Sequence, residues 1–196
     1  MQRDDAELLS LERAVRVPVV LADGSELTHM IPSEFDCRTC HESNHTVVIG
    51  FDELRLNGPD AEGSGNQLSA LADAGVFEEA PPTEPDQVQG EDARTRRVLG
   101  YLHGNCAHCH NNSANTMSAL SLDHATALGQ LINVPTEGSG QAAGVRIVPG
   151  SPEQSVLFQA FSNEGRDSEL QKMPPIGVQL RDAESIELLR KWITEL

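Results

Sequence analysis

Cys106-Ala107-His108-Cys109-His110, preceded by Asn105, repeats the pattern of Cys37-Arg38-Thr39-Cys40-His41, and these two pentapeptides hold all 4 cysteines of the 196-residue chain. Cysteines three apart on one helical turn place both sulfurs on one face, in reach of the two vinyl groups along one edge of a porphyrin. The histidine lies four residues after the first cysteine and projects from the same face, toward the iron. Each C-x-x-C-H therefore reads as the covalent attachment site of a c-type haem, with His41 and His110 as proximal ligands.

Other uses of these cysteines fit less well. A thioredoxin-type redox pair needs a preceding strand and gives no reason for a histidine after both copies. A zinc site made of Cys37, Cys40, Cys106 and Cys109 would have to close a long loop and would leave both histidines unexplained. Disulfides between cysteines three apart are strained and constrain almost nothing.

Outward from the pentapeptides, composition narrows the classes. One Trp, one Tyr and five Phe are few for one or two cores, and two porphyrins would supply the missing flat apolar bulk. Fourteen Lys+Arg against 30 Asp+Glu give a net charge of -16, which repels phosphate backbones and anionic lipid, so neither nucleic acid nor a membrane surface is an expected partner. The longest apolar stretch, residues 15–22, is broken by Arg16 and Pro18 and is far too short to span a bilayer.

The stretch from Glu78 to Glu91 holds three Pro and four Glu with almost no apolar residue, which marks a solvated linker. The expected organisation is an N-terminal haem-binding module over 1–80, a linker over 81–91 and a second module over 92–196. In the second, residues 91–103 start with acids and carry Val98, Leu99, Tyr101 and Leu102, as a helix running into the haem motif would. Asp182 is a plausible N-cap for a last helix over 183–196, with Ile186, Leu189 and Ile193 on one stripe and Leu188 and Trp192 widening it. Between them, Lys172-Met-Pro-Pro-Ile-Gly177 holds a methionine in a segment that cannot become helix, able to present its sulfur to the open face of a haem.

From about Arg97 onward, Asn105-Cys-Ala-His-Cys-His110, Leu120-Ser-Leu-Asp123, Val148-Pro-Gly-Ser-Pro-Glu-Gln-Ser-Val-Leu157, Lys172-Met-Pro-Pro-Ile-Gly177 and Leu188-Leu-Arg-Lys-Trp-Ile193 resemble, in order, a bacterial cytochrome c domain. The likeness covers about half the chain. It implies a mainly α fold, with cytochrome c-like helical domains and extensive loops around two covalently bound haems, and with first and last helices crossing beside the haem. It also implies His110 and Met173 on one iron, Gly100 and Tyr101 facing the Trp192 helix, and a backbone carbonyl, for which Pro149 is the candidate, fixing the His110 ring. The first half, from Thr28 to His41 with Gly50-Phe51 and Leu54-Arg-Leu-Asn57, is similar to the N-terminal haem segment of some diheme chains. No Met lies between His41 and Met117, so the sixth ligand of that haem comes from elsewhere or is missing. Met30 is the first choice and His29 the second. His45 would share the proximal side, His103 or His108 could reach across, and an open position is the remaining option.

These expectations describe a diheme c-type cytochrome moving single electrons between redox partners, basic ones if the acidic surface is used for docking. Alternatives are a diheme peroxidase or a haem-based ligand sensor with an open site on the first haem, where the acid/base residues near His41 are Glu34, Asp36 and Glu42. Haem attachment of this kind is an export-side process. The N-terminal residues show no basic-then-apolar signal, so the expected setting is the periplasm or cell exterior, with the signal removed or outside this chain.

Overall fold

In the computed structural model, residues 12–42, 48–58, 65–82, 84–112, 119–137, 143–162 and 170–196 are described. The first element is a hairpin. Val15–Val20 (β1) pairs antiparallel with Glu26–Ile31 (β2), from Val15 opposite Ile31 to Val20 opposite Glu26. Valine, threonine and isoleucine suit a pleated ribbon, and the turn at Asp23-Gly24 closes it. Gly24 has φ +82, a region costly for other residues, and Asp23 Oδ1 accepts from both Ser25 N and Ser25 Oγ. Pro18, which has no N–H to give, is tolerated because a two-stranded ribbon consists of edges.

This hairpin corrects the mainly α expectation. The described residues form a mixed structure of seven α-helices and a two-stranded antiparallel sheet. The reason is local: residues 15–31 carry β-branched side chains around an Asp-Gly turn, a period-2 pattern that does not support a helix. Isolated bridges, among them Asn111 with Ser121 and Val145 with Ser155, add further extended pairing in the second half.

Five of the seven helices are capped at the N-terminus by a side chain. Glu34–His41 (α1) starts at Ser33, whose hydroxyl accepts from Asp36 N while the Asp36 carboxylate accepts from Ser33 N, a reciprocal capping box. Glu53–Leu56 (α2) is capped by Asp52 and Gln67–Asp73 (α3) by Asn66. Ala93–Asn105 (α4) begins at Asp92, which accepts from Arg94 N and Thr95 N. Ala127–Leu131 (α5) and Val156–Ser162 (α6) follow, and Ala183–Glu195 (α7) is capped by Asp182 accepting from Ser185 N, at the expected position.

The core lies where α4 crosses α7. Val98, Leu99 and Leu102 meet Ile186, Leu189, Trp192 and Ile193, and Phe158, Leu131 and Ile147 complete the cluster, whose members all fall between Val98 and Ile193. Burying side chains of this size contributes about 1.5–3 kcal/mol each. Trp192 Nε1 donates to Thr95 Oγ1 at 3.1 Å, so the one indole is satisfied inside this core. Tyr101 packs edge-on against Phe161 and lines a small apolar gap with Ser185, Leu188 and Leu189. Gly100 instead faces Val88, whose Cγ2 would sit 3.4 Å from an added Cβ.

Residues 84–91 form no helix or strand but are pinned on both sides. Asp86 N donates to Glu53 Oε1, Asn57 Nδ2 donates to Asp86 O, and Val88 packs on the core cluster. Arg55 on α2 donates to the carbonyls of His103 and Gly104 on α4, at 2.8 and 3.2 Å, and pairs with Asp52. The two halves are therefore stitched together through α2 and this segment.

Candidate functional site

Both pentapeptides fold as helical turns, the arrangement that covalent attachment of a haem would require. Cys37–His41 forms the last part of α1, whose residues are all at least partly exposed. The second turn follows α4: Cys106 N donates to Leu102 O, Cys109 N to Cys106 O, and His110 N to Cys106 O at 2.8 Å. Ala107 is buried in the core, and Leu122 N donates to His110 O, so this turn is held from both sides.

The fold brings the two turns together across 69 residues. Cys40 Sγ lies 3.6 Å from Cys109 Sγ, and Cys40, His108 and Cys109 each offer a ligand atom within 4.8 Å of the others. Cys37 is exposed, and Cys40, Cys106 and Cys109 are partly covered, all as free thiols. Burial pushes the Cys106 thiol up to about 12, and burial with the neighbouring Cys40 pushes Cys109 up to about 12 as well. Thiols so placed are poor nucleophiles, which is the opposite of what a redox-active C-x-x-C requires.

Burial acts against the charged form of two histidines of the second turn. Burial lowers the pKa of His110, helped by His108 and Arg146, and lowers that of His108, helped by Arg55 and His41. The Nδ1 atoms of His108 and His110 are buried without a hydrogen-bond partner. The carbonyl of Pro149 therefore does not hold the His110 ring as expected, and the carbonyl of His110 itself is taken by Leu122.

Met173 lies partly buried in the segment between α6 and α7, with its N–H donating to Ala160 O. Met30 is on β2 opposite Arg16, partly covered, with His29 exposed beside it. His45 and Met117 lie outside the described residues. The three acids near His41 serve α1 itself: Asp36 is in the capping box, and Glu34 and Glu42 pair with Arg38. His103 sits beside Asp123 and His124. The sequence gives no sign of the roles of Arg55, Asp86 and His124, whose cross-chain partners lie 21 to 49 residues away and leave no local pattern.

The donor set fits a covalently attached haem at each turn. Two sulfurs and one imidazole share each helical turn, burial disfavours the charged form of the His110 imidazole, and Phe35 on the helix of the first turn leaves its ring in the open. Phe35 is 79% exposed, Val48 64% and Phe51 47%. No protein-family model, curated protein or solved structure matches the chain. No helix among the described residues is long and apolar enough to cross a membrane.

Proposed function

We propose that the chain is a diheme c-type cytochrome that passes single electrons between redox partner proteins on the export side of a bacterial cell. The observation that carries this is the pair of C-x-x-C-H turns brought side by side, with 3.6 Å between the nearest sulfurs. Cys37 and Cys40 would hold one haem c, Cys106 and Cys109 the other, with His41 and His110 as proximal ligands, Met173 as distal ligand of the second and Met30 of the first. When bound, the haem supplies one-electron Fe(III)/Fe(II) exchange.

The chain's own residues do the positioning. Arg55 on α2 grips two carbonyls of α4 and, with Asp86 and Val88, fastens the first half to the helix that leads into the second turn. The core packs against the second turn through Ala107 and Cys106, while α1, with no buried residue, leaves the first open to a partner. Thirty acidic groups against 14 basic ones favour a basic partner.

Redox titration of the exported protein tests the reading. Two one-electron waves are expected, the Met173 centre being the higher, because His/Met ligation raises the potential over His/His. A single low potential for both centres would remove that assignment. A spectrum that changes on adding carbon monoxide or peroxide would favour the sensor or peroxidase alternative. Transfer to a basic partner should slow as salt rises; a flat dependence would remove the docking role of the acidic surface.

A second reading is favoured by the Cys40, His108 and Cys109 cluster. Two thiolates and an imidazole are zinc ligands, so a colourless protein carrying zinc at these residues would support a metal-clamped fold in place of a cytochrome.

A further inference from the structure

A second group of metal-ligating side chains stands apart from the four cysteines. His103 near the end of α4, and Asp123 and His124 in the turn before α5, each place a ligand atom within 4.8 Å of the others. His124 is 5% exposed. Its Nε2 lies 3.2 Å from Asp86 Oδ2, and its Nδ1 is buried with no hydrogen-bond partner. A carboxylate on Nε2 fixes the tautomer that leaves the Nδ1 lone pair free, the arrangement by which metal-binding histidines are oriented.

The contacts of His103 point the same way. Its Nδ1 is 3.3 Å from Asp123 Oδ2 and 3.5 Å from His124 N, both longer than a good hydrogen bond. Ligands on a zinc ion at about 2.0–2.1 Å in a tetrahedron stand about 3.4 Å apart, close to the nitrogen-to-oxygen separation found. Charge fits as well. Asp123 stands against His103 and Asp86 against His124, while the one guanidinium nearby, that of Arg55, is paired with Asp52, which leaves two negative charges beside two imidazoles.

We propose that His103, Asp123 and His124 bind a divalent ion of the zinc class, with Asp86 orienting His124 from the segment that joins the two halves. Three protein ligands leave a fourth position for water. The ion ties α4 to the turn before α5, and through Asp86 and Glu53 to α2, so it stiffens the joint between the two halves.

The test is zinc binding by the intact, chelator-stripped protein, read by calorimetry and by metal analysis after dialysis. One Zn²⁺ per chain at this site and a higher melting temperature with Zn²⁺ than with chelator are expected. Asp123→Asn keeps the oxygen that accepts from Ala125 N and should abolish binding at micromolar Zn²⁺. Asp86→Asn, on an exposed side chain, should weaken it about 10- to 100-fold. Both variants leave Cys40, His108 and Cys109 intact, so zinc lost in them is zinc from this site. Absence of binding by the unaltered protein, or zinc content and affinity unchanged in Asp123→Asn, would overturn the proposal.

Discussion

The two C-x-x-C-H turns have the same sequence pattern and opposite surroundings. The second is built into a core: Ala107 is 7% exposed, Leu102 4% and Leu122 3%, and the helix leading into it crosses α7. The first sits on a helix with no buried residue, beside a hairpin that packs mainly on itself. Six of the eight large exposed hydrophobics among the described residues, Val15, Val20, Phe35, Val48, Phe51 and Val76, lie in the first 80 residues, whereas only Leu56 and Leu68 are buried there. One half carries its own apolar interior, and the other leaves most of its large apolar side chains exposed. A porphyrin would be an addition to a finished core in the second half and the principal apolar body of the first.

The largest effects expected from this contrast are those of removing the attachment cysteines. Cys106→Ser/Cys109→Ser should remove about half of the haem absorbance and destabilise the α4–α7 core, since the altered turn is part of it. Cys37→Ser/Cys40→Ser should remove the other half and leave the thermal transition of that core in place. Equal melting behaviour in the two double variants would break the comparison. Next in size, Phe158→Ala should cost about 3–5 kcal/mol in urea unfolding, because Phe158 is fully buried. Phe35→Ala should change stability by less than about 0.5 kcal/mol, and a loss well above that would show α1 to be covered in the mature protein.

The joint between the halves should give an intermediate effect. Arg55→Ala removes charged hydrogen bonds to two backbone carbonyls, and about 1.5–3 kcal/mol is expected. Faster proteolytic cleavage within residues 84–91 is the readout, and an unchanged rate would show that Val88 and Asp86 hold the segment without Arg55.

The smallest effect is one of pH. Burial lowers the pKa of His103 and His108 below the usual 6.5, so the unfolded chain takes up protons that the folded one refuses. Their contribution is fully present above about pH 6.5 and is lost as pH falls from there through the folded values. Melting temperature should therefore decline from pH 7 toward pH 5, and local exchange should place the loss in the second half. A rise in stability over that range would contradict the sign.

Much of the second half was legible because its signals are local. Asp182 before an apolar stripe gave α7, and acids before Val98 and Leu99 gave α4. The hairpin is the element least legible beside the haem-type motifs, because residues 15–22 are apolar enough to suggest a buried or membrane stretch, although their valines and the Asp-Gly turn carry a strand pattern. The segment over 78–91 has a linker's composition, yet Val88 packs on the core and Asp86 reaches Glu53, Asn57 and His124. Average composition does not reveal which single residues find distant partners. For the same reason the approach of Cys40 to Cys109, 69 residues apart, leaves no mark in the sequence.

The central claim is that both turns carry covalent haem. Intact-mass measurement of the protein matured on the export side, with a pyridine haemochrome spectrum of the same sample, tests it directly. The account predicts a mass increased by two haems and a c-type spectrum that stays with the chain under denaturing conditions. An unmodified mass with four titratable thiols would contradict it.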